Sequence, residues 1–285
     1  MCTNITNITR SCSMETLQGL AYCPLLLLGL VVNAAALRAS IAQRDPWTDT
    51  HVYIFNLVIA DSALLFFLPF RIYDAFFCLS KTLLCTFLVS IHYINMYASI
   101  FTSTAISVHR YLAIKFPLQA RSWRRKKKAA FAVCLAIWVF VVTICAVFWE
   151  NNHPQKLWTC YERCRNQQLQ LQFLVILVSV GFLTPLFIVV YCSGQIICVL
   201  LKEVTKSVET KRTIGIVTAN MIVFVVCYTP IHIAFVVSYL SEPPPNWQFT
   251  LMPVQVYILL SEWIASTNCC FDSISYYFLL KRYYS

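Results

Sequence analysis

Charge is scarce in this sequence. Only 12% of its 285 residues are Asp, Glu, Lys or Arg, 59% are hydrophobic, and the mean hydropathy is +0.67. Soluble domains carry about 25% charged residues, so this composition excludes one and predicts a polytopic membrane protein. Other absences narrow the chemistry. The last apolar run, Leu251–Leu279, contains no lysine, so no Schiff base to retinal can form there. Neither His-Glu-X-X-His nor Gly-X-Gly-Asp occurs, which removes the usual intramembrane hydrolase constellations and predicts that the chain is not an enzyme. No inverted repeat or pair of broken helices is visible, so an ion-coupled transporter relaying through Asp61 and Asp272 is a minor reading. Met1–Met14 is polar and lacks an apolar signal core, so the first span is expected to act as its own insertion signal.

A spanning helix needs about 20 mainly apolar residues. Seven segments qualify: Leu17–Ile41, Val52–Phe77, Leu83–Lys115, Ala129–Trp149, Leu169–Leu201, Thr213–Tyr239 and Leu251–Leu279. The fold expected is an all-α membrane protein, a seven-transmembrane helix bundle. The domain spans 1–285, with a tail at 1–16, the bundle at 17–279 and a second tail at 280–285.

The formal net charge is +10, and its distribution orients the chain. The first, third and fifth connections and the carboxyl-terminal tail hold fifteen Lys and Arg residues, against five on the other side. The positive-inside rule therefore places the amino terminus outside and the carboxyl terminus in the cytoplasm. Two sequons, Asn4-Ile5-Thr6 and Asn7-Ile8-Thr9, fall on the side expected to be glycosylated. The basic run Arg124 to Lys128 lies beside a membrane helix, where anionic lipid and a cytoplasmic partner are the expected contacts rather than nucleic acid. Among the fourteen cysteines, Cys85, Cys160 and Cys164 lie on the oxidising side. Cys85 is expected to pair with Cys160, with Cys164 as the alternative, and Cys2, Cys12 and Cys78 could supply a further bridge.

Polar residues inside the apolar runs carry the functional signal. Arg110 ends the stretch Ile100 to Ile114, where it must snorkel, face the protein interior or find partners. Asp61 sits in the middle of the second span. His92, Asn95 and Ser99 recur at steps of three and four on the third, and Asn268 and Asp272 lie four apart on the seventh. Asp61, Asn95, Ser99, Asn268 and Asp272 together offer oxygen ligands and up to two negative charges, which a sodium ion at Asp61 or a proton would compensate. The alternative is a hydrogen-bonded network with one protonated carboxyl. Pro69, Pro185 and Pro230 lie within spans, and Phe224-Val-Val-Cys-Tyr-Thr-Pro places aromatic rings beside a hinge.

These elements jointly resemble the rhodopsin-like, class A G-protein-coupled receptors. The resemblance rests on Gly29 and Asn33, Asn56-Leu57 with Ala60-Asp61, Cys85, His109-Arg110-Tyr111, Trp138, Cys160, Pro185, Phe224 with Cys227 and Pro230, and Asp272 with Tyr276. Within the family, Asn268-Cys-Cys-Phe-Asp-Ser-Ile-Ser-Tyr-Tyr-Phe is most similar to the branch of kynurenic-acid-responsive and lysophosphatidylinositol receptors. The resemblance implies a multi-pass plasma-membrane receptor. Ligand binding on the outer side would drive helix 6 outward about Pro230 and free Arg110 for a G-protein α subunit. The short basic third inner loop suits Gi-type or Rho-activating G proteins.

Four departures stand out. His109 replaces the acid before the arginine, so the clamp on Arg110 is weakened or replaced, ligand-free signalling is expected to be elevated, and His109→Asp is expected to lower it. Tyr228 replaces the common tryptophan, Ser273 a proline, and Ser193 a helix-5 tyrosine. The few residues after Tyr276 predict weak arrestin recruitment.

His92 occupies the position where amine receptors carry an aspartate, which disfavours an amine ligand. The expected pocket comprises Arg71, His92, Tyr93, Met96, Tyr228, His232, Phe235 and Glu262, with Arg71 as a bidentate anchor for carboxylate or phosphate. Arg71 could instead pair internally with Glu262, and His92 and His232 could be satisfied interior histidines. Receptors for kynurenic acid are expected to carry a basic residue where Met96 stands, so the ligand expected is a small acidic metabolite or an anionic lysophospholipid, with Arg163 and Arg165 steering it. A non-signalling decoy or scaffold of the same fold is the second reading. No cofactor is expected beyond the allosteric sodium ion.

Overall fold

The computed structural model describes residues 12–42, 49–77, 79–117, 127–164, 168–202, 207–241 and 253–281, excepting the side chains of 12–15, 42, 127, 209 and 276–281. Asn4, Asn7, Cys2, Cys78, Arg165 and Arg124 to Lys126 lie outside the described residues, as do the side chains of Cys12 and Tyr276.

Seven long helices form the described chain: α1 (Cys12–Ala42), α2 (Asp49–Phe77), α3 (Leu83–Lys115), α4 (Lys127–Val147), α5 (Leu171–Leu201), α6 (Val208–Leu240) and α7 (Pro253–Lys281). Six are long and apolar enough to cross a membrane by composition alone. The seventh, α7, is diluted by Ser261, Glu262, Ser266, Asn268, Asp272 and Ser273. Five of those are buried and Glu262 is nearly so, so its polarity faces the bundle rather than lipid. Large apolar side chains such as Leu27, Val31, Phe66, Leu135 and Phe187 point outward instead. This inside-out distribution is what a hydrocarbon solvent selects.

The helices match the apolar runs but extend past several of them. Backbone hydrogen bonding continues into the interface after side-chain apolarity stops, so α2 begins at Asp49, not Val52, and α6 at Val208, not Thr213. Ser207 caps α6 by accepting from Thr210 N–H at 3.1 Å.

Packing follows chain order around the bundle. α1 lies against α2 and α7, α3 contacts α2, α4 and α5, and α6 joins α5 to α7. Gly29 lets α1 approach α2, because a Cβ there would come within 2.5 Å of Leu65 Cδ2. Pro185 does not act by a simple kink. Its ring excludes the normal hydrogen bond, and the preceding turns widen into a π-helix over Ile176–Leu183, with Thr184 N–H donating to the Ser179 carbonyl. Pro69 and Pro230 lie inside their helices, and so does Pro24 in α1.

The segment between α4 and α5 is tied to α3. Cys85 and Cys160 form a disulfide. Cys164 is disulfide-bonded as well, which removes it as the alternative partner of Cys85. Thr86 donates to the Asn152 carbonyl at 2.7 Å, and a single antiparallel bridge joins Leu157 to Arg163. These ties hold the segment over one end of the bundle.

Candidate functional site

A cavity of about 150 Å³ opens at the disulfide end, lined by Tyr93 of α3, Tyr161, Glu162 and Arg163 of the tethered segment, Phe235 and Tyr239 of α6, and Gln255 and Glu262 of α7. Arg163 donates from Nη2 to the Asn151 carbonyl, whereas its buried Nη1 has no hydrogen-bond partner among the described residues. Burial lowers the proton affinity of this guanidinium and Tyr93 opposes that shift. Gln255 holds Glu162 with a 2.9 Å bond from Nε2 to Oε2. The cavity thus combines aromatic walls with one incompletely satisfied cation.

Arg71 lies beneath this cavity and does not line it. Its Nη2 forms an ion pair with Glu262 Oε2, and its guanidinium sits 4.8 Å from the Tyr22 ring centroid and 5.1 Å from that of Tyr161. The side chain is only 5% exposed, and Nε lacks a partner among the described residues. The internal pairing is the arrangement the fold adopts.

Further into the bundle, His92, Met96 and Tyr228 line a small void with Asp61, Asn95, Ser99 and Asn268. They surround the mid-bundle carboxylate rather than the cavity above. The void measures about 20 Å³, enough for one water or a small cation, and both Asp61 Oδ2 and Asn95 Nδ2 are buried without partners among the described residues. Asn268 Nδ2 donates to Asp272 Oδ2 at 2.6 Å. Asn33 joins α1 to α7 by donating to the Cys269 carbonyl at 3.1 Å and accepting from Ser273 Oγ at 2.8 Å. Ser273 therefore uses the hydroxyl that a proline would lack. His232 is a satisfied interior residue. It sits 2.7 Å from the Tyr228 carbonyl through Nδ1 and 3.0 Å from the Tyr97 hydroxyl through Nε2, and it stacks on Phe182.

At the opposite end Arg110, Ser107, Ser193 and Asn220 line a narrow cavity that reaches Asn268 and Asp272. Ser193, standing where a tyrosine was expected, leaves this space open. Tyr111 packs edge-on to Tyr191 and under Lys115 Nζ, which donates to Gln195 Oε1 at 3.3 Å. His109 faces α2, not the cavity: Nε2 is 3.7 Å from Asp49 Oδ2 and Nδ1 is 3.5 Å from Thr50 Oγ1.

The family model for the seven-transmembrane receptors of the rhodopsin family matches residues 32–276. The chain belongs to the rhodopsin family of receptors. Its relatives include G-protein coupled receptor 35 of Mus musculus, 35% identical over 267 residues that cover 91% of this chain and 83% of the relative. The Homo sapiens receptor of the same name is 33% identical, covering 91% and 82%. Lysophosphatidic acid receptor 6 of Mus musculus is 32% identical, covering 92% and 80%. This rhodopsin-family receptor falls in the subgroup of those relatives and is a multi-pass plasma-membrane signalling protein.

The receptor's geometry sorts the residues expected from sequence into three groups. Tyr93, Phe235 and Glu262 meet at the cavity, and Arg71 touches its wall from behind through Glu262 and Tyr161. His92, Met96 and Tyr228 belong to the polar void, while His232 belongs to the core between α3, α5 and α6. Asp49, Glu162 and Gln255 went unrecognised in the sequence. An acid three residues ahead of an apolar run looks like an ordinary helix-start residue, and a loop glutamate carries no pattern.

Proposed function

We propose that this receptor binds an extracellular anion, either a small acidic metabolite or a lysophospholipid, in the cavity at its disulfide end. Binding activates a heterotrimeric G protein of Gi or Rho-activating type. The observation that carries the ligand class is Arg163, which lines the aromatic-walled cavity and whose buried Nη1 has no hydrogen-bond partner among the described residues. A carboxylate or phosphate would satisfy it, and Tyr93, Phe235 and Tyr239 would cover the apolar part. Arg71 is a second cation within reach of an acid that displaces Glu262. Relatives named lysophosphatidic acid receptors support the lipid arm of the reading. The fifteen-to-five bias of basic residues supports placing the cavity outside and Arg110 in the cytoplasm.

Coupling runs through the bundle. Ligand contacts on α3, α6 and α7 favour a state in which α6 pivots near Pro230 and the Arg110 cavity widens to take the G-protein α subunit, with Tyr111 at its edge. A sodium ion fits the void at Asp61, whose orphaned oxygen, Ser99 and Asn95 would hold it. When bound, the ion supplies a positive charge that offsets Asp61.

The test is G-protein activation in cells, with and without acidic metabolites and lysophospholipids, in wild type, Arg163→Ala and Arg110→Ala. Arg163→Ala should raise the half-maximal anion concentration at least about tenfold. Arg110→Ala should abolish output without preventing ligand binding. Surface-expressed protein that binds anions but activates no G protein would establish the decoy reading instead.

A further inference from the structure

The acid that this chain lacks before Arg110 has a counterpart on the neighbouring helix. Asp49 occupies the first turn of α2, is 5% exposed, and directs Oδ2 to within 3.7 Å of His109 Nε2. Its other oxygen, Oδ1, is buried without a partner among the described residues, so His109 is the cation-capable group set against this carboxylate. Thr50 Oγ1 meets Nδ1 at 3.5 Å, and the Tyr53 ring lies 6.0 Å from the imidazole. Three residues within the first turns of α2, Asp49, Thr50 and Tyr53, therefore contact a single α3 side chain. The pair sits beside the apolar cluster of Val52, Tyr53, Leu57, Ile106, Ala130 and Cys134, which joins α2, α3 and α4.

A helix-start role alone would leave Asp49 pointing at its own backbone N–H groups. No such bond to Asp49 occurs among the described residues, and its contact is across helices to the residue adjoining Arg110.

We propose that Asp49 is a positioning residue for coupling: through His109 it holds the Arg110 turn of α3 against α2 and restrains the ligand-free receptor. The proposal rests on the G-protein reading above. The clamp is in this view relocated, with the acid moved from α3 to α2 and His109 of α3 as its partner. Elevated ligand-free output is then not expected of the wild type. His109→Asp alone also fails to lower output, because it sets two carboxylates against each other; the acid must be exchanged with its partner.

The experiment measures nucleotide exchange by G protein on the full-length receptor in lipid nanodiscs, at matched amounts of folded receptor, without ligand and with oleoyl lysophosphatidic acid. Asp49→Asn and His109→Asn should each raise ligand-free exchange about threefold or more, and the double variant should go no higher than the larger single effect. The exchanged variant Asp49→His with His109→Asp should fall back toward wild type. A merely structural role would not respond to that exchange. Unchanged ligand-free output in Asp49→Asn, with a wild type that still responds to the lipid, overturns the proposal and leaves the coupling reading standing. So does simple addition of the two single effects. Silence of the wild type toward the lipid and in ligand-free exchange, together with every variant, overturns the coupling reading itself and the role given to Asp49 with it.

Discussion

The Tyr97 hydroxyl of α3 lies 3.0 Å from His232 Nε2 of α6, while His232 Nδ1 faces the Tyr228 carbonyl at 2.7 Å. A carbonyl can only accept, so Nδ1 carries the proton and Nε2 accepts from the tyrosine. Both groups are buried, and water cannot replace either bond. His232→Phe should therefore lower stability by about 1–3 kcal/mol. Tyr97→Phe should cost less, because it removes a donor and leaves an acceptor behind. Thermal unfolding of the two single variants and the double variant should give strongly non-additive losses.

Gly181 sits where α5 is wound as a π-helix, and a Cβ there would lie 2.5 Å from Tyr97 Cε1. That ring cannot move aside without giving up His232. Gly181→Ala should cost about 1–3 kcal/mol as overpacking, read as a lower unfolding midpoint. Gly194→Ala has open space around its Cβ and should instead be neutral or stabilising, as alanine is the better helix former.

Glu262 is paired with Arg71 and would compete for it with a ligand acid of the class proposed above. Glu262→Gln keeps the side-chain shape, removes the charge and leaves Arg71 available. It should tighten binding of acidic ligands about tenfold, roughly 1.4 kcal/mol, with no gain for a neutral analogue. The reciprocal change, Arg71→Ala, leaves the Glu262 carboxylate, 14% exposed at the cavity wall, without its partner and should destabilise the receptor by about 1–3 kcal/mol. Competition binding and surface expression separate the two effects.

Replacing sodium with a large organic cation should raise ligand-free output if the Asp61 void holds sodium in the resting state. Asp61→Asn should abolish that dependence, because the carboxylate is the group the ion would neutralise. Equal sodium response in both forms would assign the void to water.

The departures legible in the sequence acquired different meanings once the helices were packed. Ser273 and Ser193 were visible as substitutions. That Ser273 bonds Asn33 across α1 and α7, and that Ser193 opens space beside Arg110, depends on which helix faces which. His109 was equally visible, but its partner lies 60 positions earlier at the start of α2, a distance in sequence that no local periodicity spans.

By itself the sequence determined that seven helices cross a bilayer and that the chain is a rhodopsin-family receptor. Long apolar runs leave the backbone no other way to satisfy its hydrogen bonds in hydrocarbon, and the buried polar residues recur at helical spacing. The tertiary structure decided the partners of those residues. It set Arg71 on Glu262 rather than in the cavity, brought Arg163 to the cavity wall, placed His232 in the core and turned His109 toward Asp49. Spacing along a helix states which side chains share a face, but rotation and tilt against neighbouring helices select what that face meets. Those are settled by side-chain packing over the whole bundle, where close approaches such as Gly29 on Leu65 and Gly181 on Tyr97 admit one registration.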